Sequence, residues 1–195
     1  MHFTAAAIST LATLGFILAS PTPMAAPADL TARACTTIQP AYISYFEKAT
    51  PTESTSGFGN YRLARTGGPN SNTIKSAFRF DKIPAGATGC MLQFQLGAGQ
   101  APAVGANDAS LFTVNGQVDD TTNWNNQPIK NTQVSSLQFP TTRAPEAYKT
   151  IVYASTCPES GSVSFLLEES DWQQNAGSIA FSQGSASGFS MIYNC

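Results

Sequence analysis

Chemistry in this chain has to come from carboxylates, phenols, amines and aromatic faces, because its one histidine is His2. His2 precedes an apolar leader, so the segment beyond it holds no imidazole. A Ser-His-Asp or Cys-His nucleophilic site needs that base, and a His-ligated metal site needs that ligand, so both are excluded. If Cys35, Cys90, Cys157 and Cys195 are all bridged, thiolate catalysis is excluded as well. What remains is a carboxylate pair, or Tyr and Lys acting as base and acid. The acidic candidates are Asp81, Asp108, Asp119, Asp120, Glu168, Glu169 and Asp171. Asp81 ends a strand before Ile83-Pro84-Ala85-Gly86, where its side chain is expected to cap the turn by accepting backbone N–H groups. Asp119 and Asp120, with Asn123, Asn125 and Asn126, form an oxygen-rich group without the spacing of a calcium loop, and read as solvated. Glu168, Glu169 and Asp171 read as a wet turn. No metal site and no cofactor are expected.

Trp124 offers different chemistry. It lies in the polar run DDTTNWNNQP, between Asn123 and Asn125 and close to Asn126. An indole face with amide neighbours suits stacking on a sugar ring while the amides bond its hydroxyls. Tyr42, Tyr45, Tyr61 and Trp172 could extend such a surface. The competing reading packs Trp124 over the end of the fold as a loop anchor. Trp124, Asn123, Asn125 and Asn126 are therefore the candidate binding residues, and no residue is assigned a catalytic role.

These groups need a scaffold, and composition narrows it. Charged residues make up 11% of the chain, against roughly 25% in ordinary soluble domains. Gly, Ser, Thr, Asn and Gln fill the polar positions instead, which suits a secreted β protein. The net charge is −2 and no Lys/Arg run occurs, so a nucleic-acid partner is not expected. Residues 5–19 (AAAISTLATLGFILA) form an apolar run of signal-peptide length, too short for a comfortable membrane span. Its n-region lacks Lys and Arg, leaving the start amine and His2. Residues 1–19 are read as a signal peptide and 20–34 as a Pro/Ala-rich joint, with a first cut after Ala19 or near Ala26. A second cut after Arg33 would leave Ala34-Cys35 as the mature start. Four cysteines in a secreted chain favour two disulfides, with three possible pairings. The absence of a CxxC spacing argues against metal. The reading prefers Cys90–Cys157 with Cys35–Cys195, the second joining the two ends of the mature chain. Each long closure contributes about 4 to 5 kcal/mol in the chain-entropy account.

The strand pattern centres on residues 74–96. Ile74, Phe78 and Phe80 share one parity, with Lys75 and Arg79 on the other; Cys90, Leu92, Phe94 and Leu96 then alternate with Met91, Gln93 and Gln95. Side chains on a strand alternate between faces, so each run buries one face and wets the other. Pro84, Gly86 and Gly89 break the pattern between them. The expectation is two neighbouring strands of one antiparallel sheet. Other expected strands are 37–46, with Pro40 marking an edge or bulge, 60–65, 134–139, 149–154, 162–168 with Val163, Phe165 and Leu167 inward, 178–182 and 189–195. Residues 97–108 are expected as a long loop, and Asn115-Gly116 as a hairpin turn. About eight to ten short strands and no amphipathic helix imply one all-β domain over 35–195, an antiparallel β-sandwich of jelly-roll type.

Two resemblances add to this. Phe80-Asp81-Lys82-Ile83-Pro84, then Cys90-Met91-Leu92-Gln93-Phe94, then Cys157-Pro158 and Val163-Ser164-Phe165-Leu166-Leu167-Glu168 follow the order of a family pattern. Over about residue 73 to Cys195 the chain resembles the C-terminal domain family of the fungal ubiquitin-three-binding (Uba-three-binding) protein. The resemblance implies a secreted fungal β-sandwich without assigned catalysis, and it supports the Cys90–Cys157 pairing. Lys82 and Cys195 depart from that pattern. Residues 78–96 together with Thr122-Asn123-Trp124-Asn125-Asn126-Gln127-Pro128 are similar to DNRLRE-type polysaccharide-binding jelly rolls, whose upstream basic motif is not evident here. The functional expectation is a secreted, non-catalytic protein of the cell wall, extracellular matrix or host interface that binds a polysaccharide or a surface protein. The alternatives are an effector binding a host protein and a carboxylate-dependent polysaccharide lyase or hydrolase.

Overall fold

The computed structural model describes residues 34–56, 59–67 and 72–195. The expected signal peptide and nearly all of the Pro/Ala-rich joint lie outside the described residues. Thirteen strands and no helix occur among those described: β1 (Thr36–Ile38), β2 (Tyr42–Glu47), β3 (Thr55–Ser56), β4 (Asn60–Arg65), β5 (Thr73–Phe80), β6 (Cys90–Leu96), β7 (Ala103–Gly105), β8 (Asp108–Asn115), β9 (Ile129–Gln138), β10 (Tyr148–Ser155), β11 (Val163–Glu169), β12 (Gly177–Ser182) and β13 (Gly188–Tyr193). All strand pairs are antiparallel. One sheet runs β1-β13-β6-β10. The other follows β7-β12-β4-β5-β11-β8-β9, with β2 paired to β5 and β3 to β2.

The organising pair differs from its expectation. β5 and β6 lie in different sheets, so residues 81–89 cross the sandwich rather than close a hairpin. Period-two burial constrains which face a strand buries but not which strand it pairs with. Here both strands turn their apolar parity toward one shared interior. Likewise 37–46 is two strands: β1 and β2 flank Pro40 and belong to opposite sheets, since proline cannot continue a ladder. The 97–108 segment contains the short β7. Asn115-Gly116 ends β8, but β9 begins only at Ile129, so the turn opens a long excursion instead of a tight hairpin.

β5 is the hub. Phe78 pairs with Ile43 of β2 on one side and Phe165 of β11 on the other. At its start, Ile74 pairs with Glu47 of β2 and with Ala64 of β4. β11 and β4 therefore share one edge of β5, and Ser76 marks the handover: its hydroxyl accepts from Arg62 N and donates to Arg62 O, at 2.8 and 2.9 Å.

The core is aromatic. Phe78 stacks on Phe189 across the two sheets at 4.6 Å between centroids, and on Phe165 at 5.4 Å. Tyr61 stacks on Phe181 at 4.6 Å. Each such ring contributes about 1.5–3 kcal/mol by burial, plus a smaller geometric term. Tyr61 is fully buried, and its hydroxyl donates to Gln183 Oε1 at 2.9 Å. Burial pushes that phenol well above its ordinary range. Cys35 is bridged to Cys195 and Cys90 to Cys157.

Candidate functional site

On β5 and β11 the inward parity holds Phe78, Phe80, Phe165 and Leu167. The outward parity holds Lys75 and Ala77 on β5, and Leu166 and Glu168 on β11; register pairs Ala77 with Leu166. A one-sided sheet would leave this face wet. Instead the 116–128 segment folds over it. Gly116, at φ 104°, takes a backbone conformation open to glycine and starts the excursion. Val118 then buries completely against Phe46, Ala77 and Leu166, with Trp124, Phe112, Val114 and Tyr42 packed around them.

The loop is held by its own amides. Asn123 Oδ1 accepts from Asn125 N at 3.0 Å and Asn126 N at 3.2 Å, and Asn126 Oδ1 accepts from Asn123 N at 2.6 Å. Both Asn123 Nδ2 and Asn126 Nδ2 donate to Thr121 O. Asp119 Oδ1 accepts from Thr121 N, Thr121 Oγ1 and Thr122 Oγ1, which together hold its carboxyl below its usual range. Asn125 is exposed, and its backbone N–H donates to Pro51 O. So Asn123 and Asn126 shape the loop, Asn125 faces solvent, and Trp124 is half-buried. The Trp124 ring meets Phe46 edge-on at 6.3 Å, and Lys75 Nζ lies 5.0 Å from its centroid.

Beside Trp124 opens a recess of about 360 Å³ lined by Lys48, Arg65, Thr73, Lys75, Lys130, Glu168, Glu169, Asp171 and Gln174 as well as the indole. Glu168 and Glu169 are 4% and 1% exposed, which corrects the expectation of a wet turn; Asp171 alone is open, its side chain 82% exposed. Register explains Glu168. It lies opposite Ser110 of β8 on the outer face, where Lys75 and Lys130 also project. Lys75 Nζ stands 2.8 Å from Glu168 Oε2, and Lys130 Nζ 2.6 Å from Oε1. Burial works to raise this carboxyl, but the two ammoniums outweigh it and hold it below the usual range. Lys130 also lies 4.8 Å from the Phe112 centroid.

Glu169 is different. Neither carboxyl oxygen has a hydrogen-bond partner among the described residues. Desolvation pushes it up to about 7 against the opposing pull of Arg65. The Arg65 guanidinium does not neutralise it directly: it donates to the carbonyls of Glu169, Ser170 and Gln173, and reaches Asp171 Oδ1 at 3.5 Å. Asp81, expected to cap a turn, instead forms an ion pair with Arg79, whose Nη2 donates to Oδ2 at 3.0 Å while Nε lies 2.8 Å from Oδ1.

The sequence reading missed Lys75, Lys130, Arg65 and Lys48 as members of one cluster. One signal was present: Phe165-Leu166-Leu167 is apolar on both parities, the mark of a strand covered on both faces.

The family model described as the ubiquitin 3 binding protein But2 C-terminal domain matches residues 39–185. The chain belongs to this family. The But2 match begins well before the segment whose resemblance was read from sequence, taking in β2 to β4, and it ends before β13. Within it fall the recess, Trp124 and the Cys90–Cys157 bridge, whereas Cys35 and Cys195 lie outside. A comparison with curated proteins finds no match.

Proposed function

We propose that this protein is a secreted, non-catalytic binding module of the fungal cell wall, extracellular matrix or host interface, and that it takes a glycan at the Trp124 recess. The observation that carries the reading is the indole itself, half-buried, backed by Phe46, and bordering an open recess of N–H donors and carboxyl acceptors. An aromatic face beside convergent polar groups suits a sugar ring and its hydroxyls. Trp172, next in sequence to the recess residue Asp171, is 67% exposed but is not part of the recess lining.

The carboxylates favour binding over hydrolysis. Glu168 is clamped by two ammoniums, and Glu169, next along the strand, takes the opposite parity. A glycosidase pair instead flanks the scissile bond at roughly 5 to 10 Å. The family description names ubiquitin 3 as what But2 binds. Two disulfides favour an oxidising compartment, and residues 5–19 read as a secretion signal, so the partner proposed for this chain is extracellular. Among the described residues no helix is long and apolar enough to cross a membrane.

Pull-down on chitin, β-glucan and pectin tests this. Wild-type protein is expected to be retained on at least one matrix. Trp124→Ala is expected to lose retention while its circular dichroism stays that of a β protein. Unchanged retention with a lowered melting temperature overturns the reading and leaves Trp124 as an anchor for its loop.

A further inference from the structure

We infer that the flank where β9 faces β10 is a second binding site, separate from the Trp124 recess, and that it takes an uncharged, mainly apolar ring compound bearing a hydroxyl group. β9 ends the large sheet and β10 ends the small one, and the two approach each other along one side of the sandwich. Between them opens a cleft of about 620 Å³, within the roughly 300–1,000 Å³ usual for small-molecule sites. Its floor is Phe94 and Leu96 of β6 with Leu137 of β9 and Phe139 just beyond it, each at most 6% exposed. Phe94 and Phe139 meet edge-on, 5.4 Å between centroids.

Tyr148 is the residue that lacks a cover. It pairs in register with Leu96, and cross-strand partners project from the same face of a sheet. Leu96 is 2% exposed and belongs to the core, so Tyr148 stands on the inner face as well. Yet Tyr148 is 51% exposed, because the opposing sheet stops at β9. Side chains on the inner faces of a sandwich are ordinarily covered by the other sheet. Here the phenol ring, its centroid 6.3 Å from that of Phe94, forms a bare wall of the cleft. A ligand ring fits the place the missing cover would take. The facing wall is set before any ligand arrives. Phe139 N donates to Asn107 O at 2.9 Å and Asn107 Nδ2 to Phe139 O at 2.7 Å, while Ala144 N donates to Gln100 O at 3.0 Å and Gly99 N to Ala144 O at 2.7 Å.

The lining decides the ligand chemistry. It contains no Asp, Glu, Lys or Arg, in contrast to the Trp124 recess, so an ion buried there would stay unpaired at high cost. The rim carries Gln138, Thr141 and Thr142, whose side chains make no hydrogen bond among the described residues. Those groups can serve a hydroxyl, whereas the floor offers only carbon. A sugar, hydroxylated on every side, would give up hydrogen bonds against that floor.

Fluorescence titration with N-phenylnaphthylamine, an uncharged aromatic amine that brightens in apolar surroundings, tests the inference. A saturable rise at a single site per chain is expected. Anilinonaphthalene sulfonate, the same rings with a negative charge, is expected to bind at least about tenfold more weakly. In competition, naphthol is expected to displace the probe at about threefold lower concentration than naphthalene. Tyr148→Ala is expected to weaken the probe about tenfold, and Tyr148→Phe to keep its affinity. Both variants replace an exposed side chain, and an unchanged melting temperature confirms that they fold. No saturable rise, equal affinity for the sulfonate, or undiminished binding by Tyr148→Ala overturns the inference. Equal displacement by naphthol and naphthalene overturns the assignment of the hydroxyl. Concentration-dependent dimers that exclude the probe overturn it in favour of a second copy of this chain on the flank.

Discussion

The inner faces of β5 and β11 close Phe78, Phe80, Phe165 and Leu167 onto a second sheet, whereas their outer faces carry Lys75, Ala77, Leu166 and Glu168 beneath a single loop. The same two strands thus supply an aromatic interior on one side and a small apolar patch edged by buried charge on the other. The inner face is closed by area, with rings from both sheets in stacked and edge contact. The outer face is closed by a few residues and by hydrogen bonds within the loop, and its incomplete cover leaves the recess. On this division the inner face sets global stability and the outer face sets the site.

The largest effect tests the division directly. Phe78→Ala is expected to lower unfolding free energy by about 3–5 kcal/mol, and Leu166→Ala, under the loop, by about 2–3 kcal/mol. Urea denaturation measures both, and a Leu166→Ala loss equal to that of Phe78→Ala breaks the distinction. The next effect concerns the two glutamates, whose stability slopes run opposite ways. The folded Glu169 pKa is raised, so its contribution is complete below the ordinary carboxylate range and is lost as pH rises toward about 7; the loss is on the order of 3 kcal/mol. The folded Glu168 pKa is lowered, so its contribution is present above the ordinary range and is lost as pH falls. Urea midpoints followed against pH are expected to decline toward neutrality in wild type and to lose that decline in Glu169→Gln. The smallest effect sharpens the contrast. Asn126→Ala removes two loop hydrogen bonds and is expected to cost about 1 kcal/mol. Amide exchange should quicken within 119–127 while the β5 and β11 amides keep their protection.

Much of the interior was readable as period two. Phe78 with Phe80, Leu92 with Phe94 and Leu96, and Phe189 with Met191 and Tyr193 all face the core their parity predicts. Pairing was not readable in the same way, because β5 and β6 adjoin in sequence yet take partners far along the chain, β11 and β13. The outer cluster hid for a related reason. Glu168 at a strand end defaults to solvent, and what buries it is the ammonium of Lys130, 38 residues away, together with that of Lys75. The polarity of Asn123 and Asn126 was plain from sequence. That their amides are occupied within the loop depends on its closed shape, which composition does not encode.

One consequence follows from how the 116–128 segment is fastened. Besides its internal bonds, it is tied to the β2–β3 side by Ser54 Oγ to Asp120 O, Ser44 Oγ to Thr122 O, and Asn125 N to Pro51 O. On the proposed glycan reading, a guest at Trp124 meets a wall whose hydrogen bonds are already made. The conformational freedom of that wall is given up during folding, so it is not subtracted again from the affinity of association.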